Sequence, residues 1–175
     1  FGASPELLDF WQNNGFGAVR IGLGTDGVSG LHAAMMLWPR SSAAQQILPL
    51  WQGQFSANLT FYRKGLLHDL PDAWWQHLKL LPPASAPARD SAIAHDFAFC
   101  HRDLLCDQPA LARFIQANEP LVPLSRRQQQ LLHTLLTTGA TPAEVAQKQG
   151  LSGQKAATQQ GRLLLRHFFS APSET

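Results

Sequence analysis

A chain of 175 residues is long enough for one ordinary domain or two small ones. Its 45% hydrophobic content, with five Trp and ten Phe, is enough to fill a core and so excludes general disorder. No apolar stretch approaches the roughly 18 residues of a membrane span, and we expect no secretory signal and no membrane partner. Cys100 and Cys106 are the two cysteines. Their spacing predicts reduced, buried thiols on one helix of a cytoplasmic protein rather than a disulfide.

The formal net charge of +2 is unevenly distributed along the chain. Residues 1–120 contain 8 Lys and Arg against 10 Asp and Glu, whereas residues 121–175 contain 6 against 2. A basic C-terminal third is typical of proteins that bind a polyanion. An ordinary solvated helical surface has the same pattern, so charge alone leaves both interpretations open.

The N-terminal segment predicts a helix followed by two strands. Ser4 and Pro5 are a typical helix start, and Gly15 is suited to end the helix in the left-handed conformation. The alternation in GAVRIGLG predicts a strand, TDGVSG predicts a turn, and LHAAMMLWP predicts a second strand ended by proline. The outer edges of this hairpin need partners that the chain does not obviously contain.

From residue 41 onward the sequence predicts helices. Segment 41–70 has helical periodicity, but Pro49 and Gly53 predict a kink or a break into two shorter helices. PDAWWQHLKLL predicts another helix, and PPASAPARD predicts a flexible linker. The remaining helices are expected at 90–106, 108–118 and 125–138, and in TPAEVAQKQG and SGQKAATQQGRLLLRHFF. The predicted fold class is therefore α+β, mostly α.

The motif FWQNNGF, followed by two strands, resembles the last segment of the GNAT N-acetyltransferase fold. Many GNAT enzymes carry a tyrosine four residues before the glycine, and its phenol can protonate the departing CoA thiolate. This chain has Trp11 there, and an indole N–H is not a useful acid in that range. The alternative is an ordinary helix and hairpin with a core tryptophan.

Two longer stretches, FGASPELLDFWQNNGFGAVRIGLGTDGVSGLHAAMMLWP and DFAFCHRDLL, are similar to the tRNA(Met) cytidine acetyltransferase family. These enzymes place N4-acetylcytidine at the wobble position of elongator methionine tRNA. The segment LSGQK agrees more loosely. The matching positions are Phe1, Gly2, Glu6, Leu7, Phe10, Trp11, Gln12, Gly15, Phe16, Val19, Arg20, Ser29 and Gly30, and then Phe97, Ala98, Phe99, His101, Arg102, Leu104 and Leu105.

The resemblance implies that the chain is the C-terminal piece of a longer, cytoplasmic enzyme. Its cofactor would be acetyl-CoA, and its partners would be elongator methionine tRNA and the rest of the parent chain. The family also has a helicase-like module that hydrolyses ATP or GTP with Mg, yet this sequence contains no P-loop motif. The fragment alone is expected to be inactive. The implied parts are the end of the GNAT domain at 1–40, a helical connector at 41–82, a linker at 83–89 and a tRNA-binding helical tail at 90–175.

Two acetyl-CoA contacts of the family fall at Glu6 and Asn13. The second is an arginine in the family, so a charge-assisted contact becomes a neutral hydrogen bond here. Glu6 is also favourable simply as an acid in a first helical turn. The cytosine amine needs orientation and oxyanion stabilisation more than a general base. The groups that supply these would lie upstream, so no catalytic residue is assigned.

Within this interpretation the basic tail holds the tRNA backbone by shape and charge. The segment HDFAFCHRDLLC gathers histidine, cysteine and aspartate, but on one predicted helix without a second ligand pair, so no metal site is expected. The candidate tRNA contacts are Arg126, Arg127, Lys155, Arg162, Arg166, His101 and Arg102.

Two other functions fit parts of the sequence. TPAEVAQKQGLSGQKAATQQGRLLLRHF has the pattern of a helix-turn-helix, whose second helix would enter a DNA major groove. Gln and Ala stand where base-reading residues are expected, and Gly161 is expected to interrupt that helix. A purely structural helical domain is the third possibility.

Overall fold

The computed structural model describes residues 1–169, which divide after Ser85 into two compact units. The predicted α+β, mostly α class is confirmed. In the described residues no helix is long and apolar enough to cross a bilayer. The first unit contains α1 (Pro5–Asn13), β1 (Gly17–Thr25), β2 (His32–Leu37), α2 (Ser42–Tyr62) and α3 (Asp72–Gln76). The second contains α4 (Pro87–Phe99), α5 (Leu104–Ala117), α6 (Arg126–Thr137), α7 (Pro142–Gln149) and α8 (Gln154–Arg166).

Local signals fix the ends of α1. The Ser4 hydroxyl accepts a hydrogen bond from the Leu7 N–H at 3.3 Å, which satisfies one of the donors that a helix N-terminus leaves unpaired. Gly15 has φ +83°, a conformation that favours glycine, and Phe16 folds back so that its ring lies 4.8 Å from that of Trp11. The helix therefore begins and ends where the sequence predicts.

The two strands form an antiparallel hairpin in which Gly17 pairs with Leu37 and Thr25 with His32. Residues 1–3 lie along the other edge of β2, where the Ala3 N–H donates to the His32 carbonyl at 2.7 Å and the Ala34 N–H donates to the Phe1 carbonyl at 2.8 Å. Beyond this short bridge, the sheet in the described part of the chain consists of β1 and β2 alone. Residues 1–3 therefore occupy the start of the outer edge of β2, and no further strand pairs with either strand in the described residues.

Helix α2 runs unbroken through both positions at which an interruption was expected, so the predicted break into two helices is wrong. Gly53 serves close packing instead: a Cβ there would lie 2.7 Å from the Cβ of Ala84, and the Ala84 N–H donates to the Gly53 carbonyl at 3.0 Å. The core of the first unit joins this helix to α1, the hairpin and α3. Its main members are Leu8, Ile21, Phe55, Leu59, Tyr62, Trp74 and Trp75.

In the second unit the prediction of a single helix at 90–106 is wrong, because α4 ends at Phe99 and α5 begins at Leu104. Asp103 caps the new helix by accepting from the Cys106 N–H at 2.8 Å. Cys100 and Cys106 therefore do not share a helix. Cys100, which was expected to be buried, is exposed, and neither cysteine forms a disulfide.

Five helices enclose the core of the second unit. The buried amide of Gln108 donates to the carbonyls of Leu135 and Ala140 at 2.7 and 3.0 Å, so it satisfies the end of α6 from inside the core. Thr141 and Glu144 form a capping box at the start of α7, and Gly150 ends that helix at φ +65°. The largest apolar side chains that are fully buried are Phe97, Leu111, Leu135, Leu136, Val145 and Leu165.

Gly161 lies inside α8 rather than interrupting it, so that prediction is also wrong. A Cβ at Gly161 would lie 2.5 Å from Cδ2 of the fully buried Leu135, which shows that glycine is needed for the close approach of α8 and α6. We expect Gly161→Leu to lower the free energy of unfolding by about 1–3 kcal/mol through overpacking. Urea unfolding followed by circular dichroism checks this, with the exposed neighbour Gln160→Leu as control, expected to change stability by less than about 0.5 kcal/mol. Equal midpoints for both variants would contradict it.

Candidate functional sites

Helix α1 carries a polar row on its exposed side. Glu6, Asp9 and Asn13 follow one another at helical spacing and so share a face. Hydrogen bonds from the backbone N–H of Glu6 and from the Ser4 hydroxyl hold the pKa of Glu6 below its ordinary value, so Glu6 is a carboxylate at neutral pH. Both predicted cofactor residues, Glu6 and Asn13, are exposed on this row.

The segment after α3 lies against this row. His77 Nδ1 is 2.9 Å from Asp9 Oδ2, and Lys79 Nζ donates to Asn13 Oδ1 at 2.9 Å. Between them Leu78 is 2% exposed and anchors the segment in the core. Sequence analysis missed His77 and Lys79 because no motif surrounds them, and the 66–68 residues that separate them from α1 are bridged only by the fold.

Lys79 adopts an unusual backbone conformation. Its φ is +43°, the one positive value among the described residues other than glycine. Such a conformation costs of the order of 1–3 kcal/mol. Lys79 also places a cation near the C-terminal end of α1, which has no basic residue of its own, but that contribution is typically only about 0.3–1 kcal/mol.

An apolar surface flanks α1 on the hairpin side. Phe1, Trp11, Phe16 and Met35 belong to the lining of a cavity of about 320 Å³, and the rings of Trp11 and Phe16 meet edge to face. Met35 is 51% exposed on β2. Trp11 therefore packs against other aromatic rings at the position where many GNAT enzymes carry a tyrosine.

A second apolar cavity, of about 370 Å³, lies between the end of β2 and the first half of α2. Trp38 and Trp51 line it and are each about half exposed, and the neighbouring Leu50 is exposed as well. Neighbouring large apolar side chains that are exposed in this way are typical of surfaces that contact another protein or another part of the same protein.

In the second unit the segment between α4 and α5 is held by two arginines of α8. The Arg162 guanidinium donates to the carbonyls of Phe97, Cys100 and Arg102, and its Cζ lies 4.5 Å from the Phe97 ring centroid. Arg166 Nε donates to the Ala98 carbonyl at 3.0 Å. These carbonyls include ones that the end of a helix leaves unpaired, so both arginines cap α4 from another helix.

Arg102 is also engaged within the chain. Its Nε and Nη2 donate to the two carboxylate oxygens of Asp107 at 2.6 and 2.9 Å, and Asp96 lies 3.5 Å away. The hydrogen bond to Asp107 raises the pKa of Arg102. Three of the candidate tRNA contacts, Arg102, Arg162 and Arg166, therefore bind groups of the protein itself and stabilise the segment between α4 and α5.

The other candidate tRNA contacts are exposed: His101 before α5, Arg126 and Arg127 at the start of α6, and Lys155 at the start of α8. A cation in a first helical turn is unfavourable for the helix dipole. Helix stability therefore does not explain Arg126, Arg127 and Lys155. The N-terminal ends of helices do attract anions, so basic side chains there can bind the same anion as the helix end. Within residues 1–169 no group of three or more His, Cys, Asp or Glu side chains could hold a metal ion.

Helices α7 and α8 form the compact hairpin on which the DNA-binding interpretation depends, and both pack on α6. The exposed face of α8 is nearly uncharged, however, because Lys155 is its one exposed charged residue and Arg162 is committed to α4. The exposed positions of α8 are Gln154, Lys155, Gln159, Gln160 and Leu163. This face lacks the arginines that usually contact DNA phosphates and guanines.

No protein-family profile matches the chain. The tRNA(Met) cytidine acetyltransferase TmcA of Salmonella typhimurium is 31% identical over 170 residues, which cover 89% of this chain and 21% of that protein. Proteins of the same name from Haemophilus ducreyi and Haloferax volcanii are 42% identical over 59 residues and 45% identical over 47 residues. These matches cover 34% and 27% of this chain, and 10% and 6% of the two relatives. The chain spans about a fifth of the length of the Salmonella protein.

Proposed function

Because this chain is a relative of the tRNA(Met) cytidine acetyltransferases, we propose that it is the C-terminal part of an enzyme that acetylates the N4 amine of the wobble cytidine of elongator methionine tRNA. Acetyl-CoA supplies the acetyl thioester, and a module outside this chain hydrolyses ATP or GTP. The observation that carries the proposal is the 31% identity over 170 residues, which extends through both units.

The first unit is proposed to complete a GNAT domain. A two-stranded hairpin is only marginally stable by itself, and β2 leaves Met35 and the residues after it without a neighbour on its outer edge in the described residues. Further strands from the parent chain would extend the sheet there and cover the apolar side chains beside Trp11. The exposed apolar surface near Trp38 and Trp51 supports the same conclusion.

The polar row of α1 is proposed to form one edge of the acetyl-CoA site. Glu6 and Asn13 are both accessible and lie two helical turns apart on one face, so one extended ligand can reach both. Their role is to bind and orient the cofactor. We assign no proton transfer to this chain, since Trp11 has no acidic group and the attacking amine needs orientation more than deprotonation.

The second unit is proposed to bind tRNA. Arg126, Arg127 and Lys155 are the proposed phosphate contacts, because they are exposed and have no role in helix stability that explains them. His101 is added to them as an exposed residue of the segment before α5. Arg102, Arg162 and Arg166 are proposed to contribute indirectly, by fixing the loop that presents His101.

Deleting the parent gene and measuring N4-acetylcytidine in methionine tRNA by mass spectrometry tests the proposal. We expect the modification to disappear and to return when the intact gene is supplied. A gene that lacks the part coding for this chain should fail to restore N4-acetylcytidine. This comparison tests whether the enzyme needs this segment in addition to the rest of the parent chain. Unchanged acetylation in a deletion strain with no second such enzyme would contradict the proposal.

A helix-turn-helix regulator is the second candidate, and the observation that favours it is the packed hairpin of α7 and α8 on α6. It requires duplex DNA binding that depends on sequence. If the chain binds random and selected DNA duplexes equally weakly while binding tRNA, this candidate is excluded.

A further inference from the structure

Helix α4 ends on an exposed aromatic side chain. Phe99 is its last residue, and the side chain remains 43% exposed. The two residues that follow, Cys100 and His101, are exposed as well. One exposed ring is ordinary at a protein surface, so the surroundings of Phe99 decide what it can do.

The ring is held by an aromatic column that begins in the core of the second unit. Phe114, which is 6% exposed, stacks on Phe169 with the ring centroids 5.2 Å apart and the planes 11° from parallel. Phe169 in turn meets Phe99 at 6.2 Å and His95 at 5.4 Å, in both cases edge to face. The outer rings are therefore fixed from behind, so a ligand that stacks on them loses little affinity to the ordering of side chains.

His95 lies beside Phe99 and widens the aromatic surface. One helical turn separates the two residues on α4, and their ring centroids are 4.9 Å apart with the planes tilted by 40°. The His95 side chain is 56% exposed, and its Nδ1 lies 3.7 Å from the Asp96 carboxylate. Two neighbouring planar rings therefore reach solvent at the C-terminal end of α4.

A guanidinium group lies against the same surface. Arg166 Cζ is 5.2 Å from the centroid of the Phe99 ring, within the range of a cation–π contact. Among the described residues, Arg166 and Arg162 donate to backbone carbonyls and have no carboxylate partner. The carboxylate of Asp96 is 3.5 Å from Nη1 of Arg102 and is thus offset by a different arginine.

The second unit is also the more basic of the two. Residues 86–169 contain nine Lys and Arg against six Asp and Glu, whereas residues 1–85 contain five of each. Exposed rings on a basic unit favour a partner that carries flat rings together with negative charge. An apolar protein segment would instead bury the Arg166 guanidinium without supplying a counter-charge, which is unfavourable.

We propose that Phe99, with His95 beside it, is a stacking platform for an unpaired base of the tRNA. Unpaired RNA bases stack on phenylalanine and histidine rings, whereas the bases of a duplex are already stacked on one another and do not reach a side chain. The inference rests on the tRNA-binding role proposed above for the second unit. It adds a base contact to the phosphate contacts proposed at Arg126, Arg127 and Lys155.

The dissociation constants of tRNA and of a fully paired RNA duplex, measured by fluorescence anisotropy on the full-length parent enzyme, test the proposal. Phe99→Leu keeps an apolar side chain but removes the ring, and it is expected to weaken tRNA binding about tenfold while leaving duplex binding unchanged. Phe99→Tyr keeps the ring and should bind tRNA like the wild type. Leu163→Ala alters a leucine of α8 that is 40% exposed, and this control for loss of apolar surface should leave both affinities unchanged.

The salt dependence separates stacking from phosphate binding. Phe99→Leu should leave the slope of the logarithm of tRNA affinity against the logarithm of salt concentration unchanged, because a stacked base releases no counterions. Tenfold losses for tRNA and duplex alike, with a lowered melting temperature, would mean that Phe99 acts through the fold. That result would overturn the proposal, as would unchanged tRNA affinity of Phe99→Leu or failure of the wild-type enzyme to bind tRNA.

The affinities are independent of acetylation. If the wild-type enzyme binds tRNA but does not acetylate it, the proposed function fails while the assignment of Phe99 is still decided by the variants. If acetylation proceeds and Phe99→Leu binds tRNA like the wild type, the assignment fails and the proposed function stands.

Discussion

Replacing Asp90 by alanine is expected to lower the free energy of unfolding of the second unit by about 3–5 kcal/mol. The two carboxylate oxygens of Asp90 accept from Nε and Nη2 of Arg113, both at 2.8 Å, and the Asp90 side chain is only 5% exposed. The alanine variant removes this bidentate partner from a guanidinium whose side chain is 27% exposed. Because water can reach part of Arg113, the lower end of the range applies.

Urea unfolding followed by far-ultraviolet circular dichroism measures this effect. All five tryptophans lie in the first unit, so their fluorescence provides a separate signal for that unit. Asp96→Ala is the matched control, since the Asp96 carboxylate is half exposed and 3.5 Å from Arg102, and its loss should cost less than about 1 kcal/mol. The double variant Asp90→Leu with Arg113→Met should recover much of the loss. A midpoint for Asp90→Ala equal to that of the control would contradict the expectation.

Arg162→Ala is expected to destabilise the second unit rather than to weaken phosphate binding directly. Arg162 donates to the carbonyls of Phe97 in α4 and of Cys100 and Arg102 after it, and its guanidinium lies over the Phe97 ring. Loss of even one hydrogen bond to a charged group costs about 1.5–3 kcal/mol. Arg162→Lys should be nearly as damaging, because a lysine cannot span the three carbonyls. The urea midpoint of the helical signal measures both.

The contrasting variant is Arg126→Ala combined with Arg127→Ala. Both side chains are exposed, so the stability should change by less than about 0.5 kcal/mol for each. The slope of the logarithm of tRNA affinity against the logarithm of salt concentration should fall by about 1.4–1.8, the value for two lost phosphate contacts. If Arg162→Ala instead has the urea midpoint of the wild type and lowers this slope, Arg162 contacts tRNA and its capping role is secondary.

Much of the fold could be predicted because its signals are local. The start of α1 at Ser4, its end at Gly15 and the capping box at Thr141 each depend on groups within a few residues of one another. The hairpin follows from alternation in GAVRIGLG and from the short apolar run in LHAAMMLWP. The family resemblance, which the comparisons support, also rests on residues that are contiguous in the chain.

The errors occurred where a local signal was outweighed by packing or was too weak to notice. Glycine at 53 and 161 predicted interruptions, yet in both places the missing side chain admits a neighbouring segment and the helix continues. The separation of α4 from α5 depends on Asp103, whose capping role was not apparent in HDFAFCHRDLLC, a segment that looked like one continuous helix. In that segment Arg162, from the far end of the unit, satisfies the carbonyls that the break exposes.

The candidate sites show the same division. Sequence patterns were enough to predict the mostly helical class, the helix and hairpin at the start, the family relationship and the presence of Glu6 and Asn13 on one helix. Tertiary packing alone brings Lys79 against Asn13 and the guanidinium groups of Arg162 and Arg166 against the carbonyls of α4. These contacts join residues 60–68 positions apart. The residue type alone does not show whether such a side chain faces solvent or binds another part of the chain, because its surroundings are set by the fold.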